Sequence, residues 1–109
     1  MATETGLPIA CSLTDAAFRV RRDAVQRDLF AGRHSADPTG DGYRFRFPPD
    51  EVWLERITAF VLAERTCCPF LTFRIVVLAG ADGIDLELTG PAGSQAFIAQ
   101  TFLGEPATD

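Results

Sequence analysis

The sequence predicts an α+β fold. It is a two-layer sandwich, with a four-stranded mixed or antiparallel sheet covered by helices on one face. Three observations predict it. Short segments such as 43–47 and 84–89 alternate apolar with polar residues, which marks strands with one buried face rather than the doubly covered strands of a parallel sheet. Between them lie longer stretches with apolar residues at helical spacing. Clusters of Gly, Pro and Asp punctuate the two kinds of segment. A chain of 109 residues fits a single domain, 1–109, with one core.

The predicted order is β-α-β-α-β-β-α. Residues 7–13 alternate, with Ile9, Cys11 and Leu13 on one side and Ala10 and Ser12 on the other, as in a half-buried strand. Ser12 or Thr14 caps a helix over about 15–31, with Asp15 in the first turn, where negative charge is favoured. Gly32 and the stretch 35–42 (SADPTGDG) read as a break and a long loop, a candidate mobile segment. Tyr43, Phe45 and Phe47 alternate with Arg44 and Arg46 in the second strand.

Pro48-Pro49-Asp50 ends that strand and opens a helix over about 50–67. Pro69 closes it, because a residue before proline avoids the α region. In 70–78 the residues Leu71, Phe73, Ile75 and Val77 share one face. A turn at 80–83 leads to Ile84, Leu86 and Leu88 alternating with Asp85, Glu87 and Thr89, so the two strands form an antiparallel hairpin. The last helix spans about 91–103, with Pro91 at its first position and Gly104 as its stop. The outer face of the sheet then carries Arg44, Arg46 and Arg74 beside Asp85 and Glu87, which reads as a solvated ladder of ion pairs.

Ten basic residues, all arginine, face 15 acidic ones, for a net charge of −5. That balance argues against nucleic acid as a partner, which calls for a clustered positive footprint. Apolar runs such as 75–79 fall far short of the about 20 residues that a membrane span needs. The first ten residues contain no basic residue and no long apolar run, so they do not form a signal peptide. The expected location is cytoplasmic. The 3 cysteines are an odd count, below the density of a disulfide scaffold.

Cys67 and Cys68 are adjacent, and Cys11 is distant in sequence. At about 100° per residue, Trp53, Ile57, Phe60 and Val61 line one face of the second helix, and Glu64, Cys67 and Cys68 continue it. Cys11 occupies the strand face expected to meet the helices, so the three sulfurs can converge. Glu64 is the anomaly, since a carboxylate on a buried face calls for a partner. Two readings stand: an ion pair with an arginine such as Arg22, or membership of the thiol site as ligand or proton carrier.

Thiolates in a confined pocket suit thiophilic ions: Hg(II), Cu(I), Cd(II), Zn(II) or As(III). The candidate metal ligands are Cys11, Cys67, Cys68 and Glu64. A four-ligand structural zinc site is less well supplied, because His34 is the one histidine and no paired CxxC motif is present. Redox chemistry is the second reading, since Cys11 with Cys67 or Cys68 forms a disulfide if their Cα atoms lie within about 7 Å. A helix C-terminus and Glu64 both disfavour a thiolate, which weights metal capture over nucleophilic attack. Arg65 opposes that effect only weakly, since its register points it away. In the third reading the cysteines simply pack in the core of an interaction domain. The segment 89–94 precedes a helix N-terminus, but it lacks a phosphate-loop pattern and reads as a turn and cap.

Glu64-Arg65-Thr66-Cys67-Cys68-Pro69-Phe70, with Phe73, Leu88-Thr89-Gly90-Pro91-Ala92-Gly93 and Cys11-Ser12-Leu13, resembles a set of small bacterial proteins. These carry an E-R-x-C-C-P-F segment followed by L-T-G-P-x-G. The resemblance covers about residues 11–103, and the first segment is its specific part. It implies an association with heavy-metal resistance, mercury especially, and brings no established catalytic activity, so no catalytic or organic-cofactor residue is assigned. The sequence thus leaves three functions: a soft-metal-binding protein, a thiol redox or small-molecule-transforming enzyme, and an interaction domain. Oligomeric state is not legible from it.

Overall fold

The computed structural model describes residues 15–104. Helix α1 spans Asp15–Asp28 and is followed by a 3-10 turn at Phe30–Gly32. Strands β1 (Ser35–Pro38) and β2 (Gly42–Phe47) lead into helix α2 (Glu51–Cys67). Strand β3 (Thr72–Val77), a 3-10 turn at Ala79–Ala81 and strand β4 (Ile84–Thr89) precede helix α3 (Ser94–Phe102). Among the described residues these strands form one antiparallel sheet in the order β1-β2-β4-β3. The α+β class and the helical cover on one sheet face are as the sequence predicts.

One strand differs from expectation. The stretch read as a loop at 35–42 contains β1, whose residues Ser35 to Pro38 pair with Arg46 to Tyr43. Its composition is that of a loop, yet Pro38 lies on an edge strand, which asks for hydrogen bonds on one side only. The Thr39 N–H bonds the Gly42 carbonyl at 2.8 Å and closes the hairpin. Gly42 suits this close approach, because a Cβ there would collide with the Leu88 carbonyl. The strand expected at 7–13 lies outside the described residues.

Alternation places the core well in the two central strands. Phe45, Phe47, Ile84, Leu86 and Leu88 are buried, and Tyr43 and Phe73 pack partly buried against them. Phe30, in the turn after α1, sits centrally, with its ring 4.7 Å from Phe45, 5.3 Å from Phe60 and 5.1 Å from Phe102. Ile75 and Val77 stand opposite Leu86 and Ile84 and share their face, but both are exposed. They belong to β3, the outer strand among the described residues, and no described residue covers them fully. Their expected burial is therefore not realised.

The opposite face carries the expected ladder. Arg46 hydrogen-bonds Asp85 directly across β2 and β4. Arg74 lies 3.5 Å from Glu87, and Arg44 lies 3.7 Å from Asp37. These pairs occupy neighbouring strands with their guanidinium groups partly in solvent, which suits a stabilised surface rather than a ligand site.

Candidate metal centre

The site is made by the end of α2. Asp50 and Glu51 begin that helix, and the chain after Cys68 runs into Pro69, which cannot continue it. Cys68 is the C-cap, with φ −125° and ψ 74°, and its N–H bonds the Glu64 carbonyl at 2.6 Å. The Leu71 N–H then bonds the Cys68 carbonyl at 3.2 Å and turns the chain back toward β3. Glu64, Cys67 and Cys68 stand at positions i, i+3 and i+4, so one helix face presents all three side chains. The expected stripe is present: Ile57 and Phe60 are buried, and Trp53 and Val61 are partly buried beside them.

All three site residues are buried, and Glu64 is only 2% exposed. Its carboxylate is divided between two partners. The Arg21 guanidinium donates Nε–H to Oε2 at 2.7 Å, and the Cys68 thiol donates to Oε1 at 3.5 Å. The cation described at Glu64 is Arg21, next in sequence to the expected Arg22, whose side chain lies outside the described ones. A carboxylate oxygen and the two sulfurs lie within 4.8 Å of one another. Trigonal coordination at a metal–sulfur distance near 2.3 Å puts donors about 4 Å apart, so side-chain rotation of under about 1 Å closes the set.

The two sulfurs differ in state. Cys67 is disulfide-bonded, and Cys68 is a buried free thiol. Burial, followed by the charge and hydrogen bond of Glu64, pushes the Cys68 thiol up to about 12, with Arg21 opposing them. Cys68 therefore holds its proton at neutral pH unless a cation replaces it. Cys11, and with it the expected convergence of three thiols, lies outside the described residues.

The two sequence segments that carry the resemblance meet in space. A Cβ on Gly90 would stand 3.2 Å from the Phe70 carbonyl and would strike the Ser94 hydroxyl, so glycine lets the 89–94 turn pack against the end of the Cys-Cys-Pro-Phe segment. Phe70 also meets Phe97 of α3 edge-on at 5.0 Å. Gly93, with φ 97°, seats the start of α3. The 89–94 segment is accordingly a turn that braces the thiol site. His34, at the far end of the first helical region, is exposed and is not part of the metal-ligating cluster.

A groove of about 620 Å³ between α1 and α2 is lined by Arg21, Val25, Leu29, Arg56 and Phe60 among others. It does not contain the thiols, but Arg21 links its wall to Glu64. No described helix is long and apolar enough to cross a membrane. Comparison with known protein families, characterised proteins and solved structures finds no match.

Proposed function

We propose that this is a cytoplasmic protein that captures a soft, thiophilic divalent ion on Cys67, Cys68 and Glu64. The observation that carries the reading is the buried cluster of two sulfurs and a carboxylate oxygen within 4.8 Å. Soft sulfur donors select ions such as Hg(II), Cd(II) and Zn(II) over hard cations. The charge balance favours a divalent ion within that group. With both thiols protonated, Glu64 and Arg21 cancel. Replacing two thiol protons by one divalent cation leaves the buried site neutral, whereas Cu(I) would leave it at −1, which burial penalises. Cys11 is the proposed additional sulfur, and the resemblance of 64–70 to proteins associated with heavy-metal resistance points the same way.

The second reading, thiol–disulfide chemistry, is favoured by one observation, the disulfide at Cys67. Against it stands the Cys68 thiol, pushed up to about 12, which makes that neighbour a poor nucleophile at neutral pH.

Native mass spectrometry of the reduced protein after exposure to Hg(II), Cd(II), Zn(II) and Cu(I) tests the proposal. One divalent ion per chain, gained with the loss of two protons, is expected. Cys67→Ala and Cys68→Ala, each checked for folding by circular dichroism, should lose it. Retention of the ion by both folded variants would overturn the reading.

A further inference from the structure

We infer that the oxidation state of Cys67 gates this site: the disulfide form excludes the ion, and a dithiol reductant opens it. The inference rests on the metal-capture reading and adds its regulation. It starts from a conflict within the site. Cys67 supplies one of the three clustered donor atoms, yet its sulfur is already committed to a disulfide. A disulfide sulfur carries no exchangeable proton and no thiolate charge, so it cannot replace a proton by a metal. In the oxidised protein only Glu64 and Cys68 remain, and their donors are already engaged with each other and with Arg21. Two such ligands leave the sphere of an ion such as Cd(II) or Zn(II), which takes about four donors, half filled.

Reduction reverses this with a balanced exchange. A thiolate of an external dithiol attacks one sulfur of the Cys67 disulfide, forms a mixed disulfide and expels the other protein sulfur. The second thiol of the reductant then attacks its own bound sulfur, closes the reductant's disulfide and releases the remaining protein thiol. Two electrons and two protons pass from the dithiol to the protein. A divalent ion next displaces the protons of Cys67 and Cys68. Binding and reduction are reciprocal: an ion held on Cys67 keeps that sulfur from re-forming the disulfide.

Cys67 is 6% exposed, and it lies between the exposed residues Thr66 and Pro69, which flank the Cys-Cys pair. The chain has one further cysteine, Cys11, which lies outside the described residues.

The test titrates Cd(II) into three preparations of the full chain under anaerobic conditions, read by thiolate-to-cadmium charge-transfer absorption. They are oxidised wild type, wild type reduced with a dithiol that is then removed, and a Cys11→Ser variant never treated with reductant. Losing an outer-shell group already weakens metal binding by about 10–100-fold, so losing a ligand should weaken the oxidised protein by more than about 100-fold relative to the reduced one. Cys11→Ser, which leaves Cys67 no partner cysteine in its chain except its neighbour, should bind Cd(II) without reductant, and its affinity should not rise on reduction. Cadmium-loaded wild type should also resist re-oxidation by a small disulfide. Equal affinity of oxidised and reduced wild type would overturn the gate while leaving metal capture standing, as would a Cys11→Ser variant that still needs reduction. Failure of the reduced protein to bind would overturn the metal-capture reading itself.

Discussion

Replacing Arg21 by Met removes the cation that pairs with Glu64 among the described residues. The carboxylate side chain is 3% exposed and the arginine side chain 33%. Breaking a fully buried pair costs about 3–5 kcal/mol, because a charge is left unpaired in a poor solvent. Exposed pairs contribute about 0–1 kcal/mol. The Arg21–Glu64 pair lies between these limits, with one partner reaching solvent, so a loss of about 2 kcal/mol is expected. At roughly 4 °C per kcal/mol for a domain of this size, the Tm should fall by about 8 °C. Urea denaturation of the reduced, metal-free protein measures it. The cause is checked by the double variant Arg21→Met/Glu64→Leu, which removes both charges and should recover most of the loss. A loss below about 0.5 kcal/mol, or a double variant no more stable than Arg21→Met, would refute the argument that a buried, paired carboxylate shapes this site.

Phe60 is 5% exposed and meets the rings of Phe30 and Phe102, so Phe60→Ala should cost about 3–5 kcal/mol in chemical denaturation; a loss below about 1 kcal/mol would place it outside the core. Arg44 pairs with Asp37 across 3.7 Å with both side chains about half in solvent, so Arg44→Ala should change stability by less than about 0.5 kcal/mol, and a larger loss would mean that the outer ladder carries more than surface charge pairing. The Cys68 thiol, held near 12 in the fold against about 8.5 in an unfolded chain, binds its proton more tightly when folded. Its contribution is complete below the unfolded value and is lost as pH rises toward 12. The stability advantage of wild type over Cys68→Ala should therefore shrink across that alkaline range, and a difference independent of pH would count against the buried neutral thiol.

The central strands were legible because burial on one face and solvent on the other write a period of two into 43–47 and 84–89. Strand β1 was not, since Asp37 and Pro38 carry turn chemistry and its pairing comes from β2 rather than from its own sequence. Ile75 and Val77 show the same limit from the other side. Their alternation reports the correct face, but burial depends on what covers that face in three dimensions, which no local pattern records. At the site, helical spacing alone brings Glu64, Cys67 and Cys68 together, and the misplaced charge of Glu64 signals a partner. Which arginines answer it depends on how α1 is rotated against α2, so the pairing with Arg21 emerges only in three dimensions. The oxidation state of Cys67 is likewise a matter of which sulfur approaches it, which spacing along α2 does not encode.

The central claim is that Glu64 and the vicinal cysteines form one coordination sphere. X-ray absorption spectroscopy of the reduced protein loaded with one equivalent of Zn(II) tests it most directly. The account predicts at least two sulfur scatterers at about 2.3 Å together with an oxygen or nitrogen scatterer, and the loss of one sulfur in Cys67→Ala. A shell made wholly of oxygen and nitrogen, or a sulfur shell unchanged in Cys67→Ala, would contradict it.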